Sequence, residues 1–191
     1  MKRVAIFASG AGSNAAKIIE YFNTSSLIQI SLIVCNKPNA GVLNIANKHA
    51  IPSLLIEKDQ FFRGDAYVEE LKKCKIDFIV LAGFLWKVSE KLIQAYPNSI
   101  VNIHPALLPN YGGKGMYGNF VHAAVIANKE KESGITIHYV NEHFDEGQHI
   151  FKATCTVDEK DTPESLASKI HALEHAHFAR VIEEVIVKEI I

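Results

Sequence analysis

Cysteine is scarce in this chain. Cys35, Cys74 and Cys155 are three, an odd number, and widely separated, so neither a disulfide framework nor a paired-cysteine metal knuckle can be drawn from them. Charge of one sign is also lacking: 20 Lys and Arg stand against 21 Asp and Glu, with no basic block. Phosphate neutralisation needs clustered cations, so nucleic acid is not an expected partner. No apolar run approaches the roughly 18 residues of a membrane-spanning helix. Met1-Lys2-Arg3-Val4 leads straight into a short strand, without the apolar stretch of a signal peptide. The expectation is a cytoplasmic, reduced protein that touches neither membrane nor nucleic acid.

What is present is an alternation of short apolar runs with helical patterns. Val4 to Ala8, Gln29 to Cys35, Ser53 to Ile56, Phe78 to Ala82 and Ser99 to His104 read as strands. Continuous apolar runs mark strands covered on both faces. Helical spacing follows each: Ile18, Ile19 and Phe22; the stretch to Lys48; Gly64 to Lys73 with Tyr67, Val68 and Leu71; and Ser89 to Tyr96. A helix over Phe120 to Asn128, strands Ile135 to Val140 and Ile150 to Val157, and a long helix from Thr162 to about Glu189 complete the chain. This predicts an α/β protein with a three-layer, doubly wound, mostly parallel sheet of about seven strands. All 191 residues are read as a single domain, with a phosphate-binding half over 1–100 and a catalytic half over 101–191.

Three stretches carry chemistry. Ser9-Gly10-Ala11-Gly12-Ser13-Asn14 joins the first strand to the first helix, where backbone N–H groups and the helix N-terminus form an anion site. Gly10-x-Gly12 also fits a dinucleotide turn. The following strand, however, ends in Asn36-Lys37 and lacks the acidic residue that holds a ribose 2′-hydroxyl, which favours a single phosphate. A merely structural turn remains open. In Asn102-Ile103-His104-Pro105, the amide and the imidazole sit two apart and so share one face of a strand that Pro105 stops. Either they meet a ligand at the strand's C-terminal end or the histidine is capped by a backbone carbonyl. Gly-Phe-Leu-Trp over residues 83–86 either walls a pocket for a flat ligand or is core. Four glycines between Gly112 and Gly118 make a loop that can move.

His171-Ala172-Leu173-Glu174-His175 matches a zinc-protease pattern. Only sixteen residues follow it, too few for the third ligand, so no metal is expected and solvated histidines are the better reading.

With these pieces placed, the sequence resembles the folate-dependent formyltransferase family, in the branch that acts on phosphoribosylglycinamide. The resemblance rests on residues 9–14, Val80-Leu81-Ala82-Gly83-Phe84, Asn102-Ile103-His104-Pro105-Ala106-Leu107-Leu108-Pro109, Gly134-Ile135-Thr136-Ile137-His138 and Asp145, and runs from about residue 3 to 187. It implies a Rossmann-like formyltransferase fold and a reaction of purine synthesis. A formyl group passes from 10-formyltetrahydrofolate to an amine, without metal. Asn102, His104 and Asp145 are implied as the catalytic set. Gly12, Ser13, Asn14 and Glu174 are implied for the phosphoribosylglycinamide, and Leu85, Trp86, Lys87, Val88, Asn102, Val140 and Phe144 for the folate. The chain leaves no room for the extra domains of the relatives acting on methionyl-tRNA or hydrolysing the folate. A monomer or weak homodimer acting on small molecules is expected. Trp86 stands where the family usually carries Arg, Gly64 where an Arg is frequent, Glu146 where Gly is common, and the loop from Gly112 is longer than usual.

Such a transfer needs no serine or cysteine nucleophile, because the amine attacks. It passes through an oxyanion, for which Asn102 and a protonated His104 are the expected donors, with Asp145 keeping the ring charged and taking the amine's proton.

Overall fold

The computed structural model describes residues 1–188. A seven-stranded sheet runs in the order β3-β2-β1-β4-β5-β6-β7. Its strands are β1 Lys2–Ala8, β2 Ile28–Cys35, β3 Ser53–Leu55, β4 Phe78–Leu81, β5 Ile100–His104, β6 Glu132–Tyr139 and β7 His149–Thr156. The first five pair in parallel and the last two antiparallel, so the mixed doubly wound sheet is as the alternation predicts.

Side-chain alternation builds two cores from one set of strands. Val4, Ile6 and Ala8 of β1 face the layer of α1 (Ser13–Phe22), α2 (Gly41–Lys48), α6 (Asn119–Ala127) and α7 (Pro163–Lys188). Ala5 and Phe7 face the layer of α3 (Lys58–Arg63), α4 (Val68–Lys73) and α5 (Glu90–Ala95). The expected end of α7 at Glu189 lies outside the described residues.

The expected helix from Gly64 to Lys73 differs from the one observed. The chain forms α3 ahead of Gly64, then turns through Ala66 and Tyr67, at φ 58° and 60°, before α4 begins at Val68. Gly64 caps α3, and a Cβ there would meet the Gln60 carbonyl oxygen at 2.6 Å. The Tyr67 hydroxyl accepts the Glu57 N–H at 2.8 Å and fastens the turn.

The strand order reverses between β1 and β4, and ligands of open α/β sheets bind beyond the strand ends at such a point. The two ends are tied together here. Ser9 N–H donates to the Gly83 carbonyl at 3.1 Å, and Ser9 Oγ accepts the Leu85 N–H at 2.9 Å.

Candidate active site

A cavity of about 640 Å³ opens at this reversal, and every residue expected at the site lines it. Gly12, Ser13, Asn14 and Glu174 line it, as do Asn102, His104 and Asp145, and Leu85, Trp86, Lys87, Val88, Val140 and Phe144.

Gly12 caps α1 at φ 82°, and a Cβ there would meet Val42 Cβ at 2.8 Å, so both the backbone angle and the close approach require glycine. The turn leads directly into the N-terminus of α1, which carries no side-chain cap, as an anion site needs. The Asn14 side chain reaches across to α7. Its Nδ2 donates to Glu174 Oε2 at 2.9 Å, and its buried Oδ1 has no partner. Glu174 is 6 % exposed, and burial raises its carboxyl above the usual range against the opposing pull of Asn14 and His171.

Asn102 and His104 share a face of β5, as their spacing predicts. Asn102 pairs across the ladder with His138 of β6, and Asn102 Nδ2 lies 3.1 Å from His138 Nε2. His138 Nδ1 lies 2.8 Å from the Tyr139 carbonyl, which can only accept. The ring therefore carries its proton on Nδ1 and, when neutral, accepts from the Asn102 amide at Nε2. His138 was visible in the sequence within the Gly134-Ile135-Thr136-Ile137-His138 stretch, yet only the register of β5 on β6 brings it to Asn102.

His104 is 3 % exposed. Its Nε2 donates to the Tyr111 carbonyl at 2.7 Å, and its Nδ1 faces Asp145 Oδ2 at 3.6 Å. The ring is capped by a carbonyl and also lines the cavity. Burial pushes the imidazole below its ordinary value and outweighs the upward pull of Asp145 and of the Tyr111 carbonyl. Asp145 is the opposite case. Burial works against its charge, but the His138 and His104 rings and the Gly113 N–H, at 2.9 Å from Oδ2, hold its carboxyl below the usual range.

On the far side, the 83–86 stretch is core and wall together. Phe84 stacks edge-on with Phe7, and Trp86 packs against Phe61, Phe62 and Phe84 with centroids at 5.6, 5.6 and 6.1 Å. Lys87 Nζ stands 5.6 Å over the Phe144 ring, joining this wall to the loop that carries Asp145. Arg63 pairs with Asp59 on the surface, and Lys91 Nζ donates to the Gly64 carbonyl at 2.6 Å.

His122 and His171 line the cavity as well and were not expected there. The His171 and His175 rings stack at 6.4 Å. Among the described residues no three His, Cys, Asp or Glu side chains gather as a metal set. No helix among them is long and apolar enough to cross a membrane.

A cavity at the sheet's switch point that presents an amide, an imidazole and a carboxylate beyond a Gly-rich turn has the make-up of a group-transfer site. The chain belongs to the formyl transferase family, whose model matches residues 2–182. Within that family it is similar to proteins named phosphoribosylglycinamide formyltransferase. The one from Bacillus subtilis is 36 % identical over 191 residues, covering 97 % of this chain and 95 % of the relative. The chloroplastic one of Arabidopsis thaliana is 40 % identical over 187 residues, or 95 % of this chain. The chain spans 64 % of the Arabidopsis relative's length and 60 % of the Vigna unguiculata one. The crystal structure of phosphoribosylglycinamide formyltransferase from Bacillus halodurans superposes with a TM-score of 0.89 at 37 % identity, covering 98 % of this chain and 97 % of that one.

Proposed function

We propose that the protein transfers the formyl group of 10-formyltetrahydrofolate to the primary amine of 5′-phosphoribosylglycinamide, a step of purine synthesis. The observation that carries this reading is the gathering, in one cavity, of a phosphate turn, the Asn102/His104/Asp145 set and an apolar wall. The phosphate is held at Gly12 and Ser13, and the folate lies along Leu85 to Val88, Val140 and Phe144. That arrangement brings amine and formyl carbon together, where proximity supplies much of the rate.

The amine attacks the formyl carbon, and the carbonyl electrons move to oxygen. The Asn102 amide, aligned by His138, donates to that oxyanion. Asp145, held ionised, takes the amine's proton directly or through water. His104 enters as the second donor by taking a proton at Nδ1, beside Asp145, or by giving up the Tyr111 carbonyl. Collapse of the adduct breaks the bond to N10 of the folate, which leaves with a proton as tetrahydrofolate. Both reactants are small molecules, no metal takes part, and the protein works in the cytoplasm as a monomer or weak homodimer.

The test is to incubate the protein with both substrates and follow formylated product and tetrahydrofolate together. Equimolar release supports transfer. Tetrahydrofolate with formate and no formylated product places the protein with the folate-hydrolysing relatives, and phosphosugar binding without turnover makes it a binding module.

A further inference from the structure

His122 is one of the most deeply placed polar groups of the cavity and has no part in the steps above. It is 2 % exposed and lines the cavity from the first turn of α6. Its helix neighbours Val121 and Val125 face the core, where they pack with α7 residues such as Ile170 and Phe178. The imidazole's Nδ1 is fully buried with no hydrogen-bond partner. A buried polar atom left unpaired in a native fold calls for an explanation, and a ligand is one. A second orphan lines the same cavity: Asn14 Oδ1, whose sister Nδ2 is committed to Glu174. α7 packs on both α1 and α6, the helices that carry Asn14 and His122.

The chemistry of the pair narrows the ligand. Asn14 Oδ1 only accepts, so what meets it must carry a donor, which an ionised phosphate does not. The imidazole is neutral, since burial first and then the His171 and His104 rings push it down to about 4. A neutral ring offers one N–H and one lone pair. His104, His171 and Glu174 line the same cavity as His122. A substrate with its phosphate at Gly12 and its amine at Asn102 and His104 must lay its sugar there. Sugar hydroxyls both donate and accept, as the orphans require.

We propose that His122 is a further binding residue for the formyl acceptor, hydrogen-bonding a ribose hydroxyl alongside Asn14 Oδ1. The inference rests on the proposed function for the identity of the ligand.

The test combines kinetics with spectroscopy. His122→Phe, which keeps a planar ring without nitrogen, should raise the KM for phosphoribosylglycinamide about tenfold, the size of one lost hydrogen bond in a buried site. The kcat and the KM for the formyl donor should hold, and His122→Gln should recover part of the loss. In the wild-type protein, titration with phosphoribosylglycinamide should shift the ¹⁵N resonances of the His122 ring, a reading that needs no variant to fold. Unmoved His122 resonances at saturation, an unchanged acceptor KM in a folded His122→Phe, or an equal change for both substrates would overturn the inference. A wild-type protein that binds the acceptor with a His122 shift yet transfers no formyl group would sink the proposed reaction and leave this inference standing.

Discussion

His104 donates its Nε2–H to the main-chain carbonyl of Tyr111 at 2.7 Å, two residues before Gly113 N–H donates to Asp145 at 2.9 Å. The Gly-rich loop is therefore fastened to both His104 and Asp145. The same segment is held from outside, where Tyr111 Oη donates to Glu130 at 2.7 Å and accepts from Asn128 at 2.9 Å. Tyr111→Phe removes this outer fastening and keeps the carbonyl. It should increase proteolytic cleavage between 112 and 118 while leaving the KM for the folate within about twofold, since two surface hydrogen bonds of about 1 kcal/mol each are lost.

His138 aligns the Asn102 amide at 3.1 Å, and its Nε2 also lies 3.7 Å from Asp145 Oδ1. His138→Phe should lower kcat about tenfold, less than loss of Asn102 itself, with the substrate KM values held. Steady-state kinetics on the two single variants and the double variant check this. If the double variant falls by the product of the single losses, His138 acts independently of Asn102.

The turn after His104 is locked from β6. Thr136 Oγ1, fully buried, donates to the Ala106 carbonyl at 2.7 Å and accepts the Leu108 N–H at 3.0 Å. Thr136→Val keeps the shape and orphans both groups, and should cost about 2 kcal/mol in denaturant unfolding. A loss within error of zero would mean that the turn holds without Thr136.

Much of this was readable beforehand. Alternation along β1 fixes which residues face which layer, and the two-residue spacing of Asn102 and His104 puts them on one face. Residues whose role depends on pairing were not readable. His138 needs the β5–β6 register, and the Asn14–Glu174 bond joins positions 160 apart in sequence. The downward shift of His104 is a balance of burial against Asp145, and only coordinates give its sign. Trp86 is held by rings from α3 that lie more than twenty residues earlier. Trp86→Arg should therefore lower stability by about 1–3 kcal/mol through lost packing, seen as a lower Tm.

His122 also gives a pH dependence. Its folded value of about 4 lies below the ordinary 6.5, so the folded state resists the proton that the unfolded chain takes up. Its contribution is complete above pH 6.5, fades as pH falls toward 4 and is constant below that, amounting to at most about 3 kcal/mol. His122→Gln should flatten the wild-type decline in unfolding free energy over that window. Parallel curves for the two proteins would show that another group is responsible.

The central claim is that Asn102 and His104 stabilise the oxyanion of a formyl transfer. The direct measurement is kcat for transfer from 10-formyltetrahydrofolate to phosphoribosylglycinamide in Asn102→Ala and His104→Ala, alongside wild type and with folding checked by thermal melting. Each variant should lose a factor on the order of 10²–10³ while still binding both substrates. Turnover near wild type in either folded variant would contradict the account.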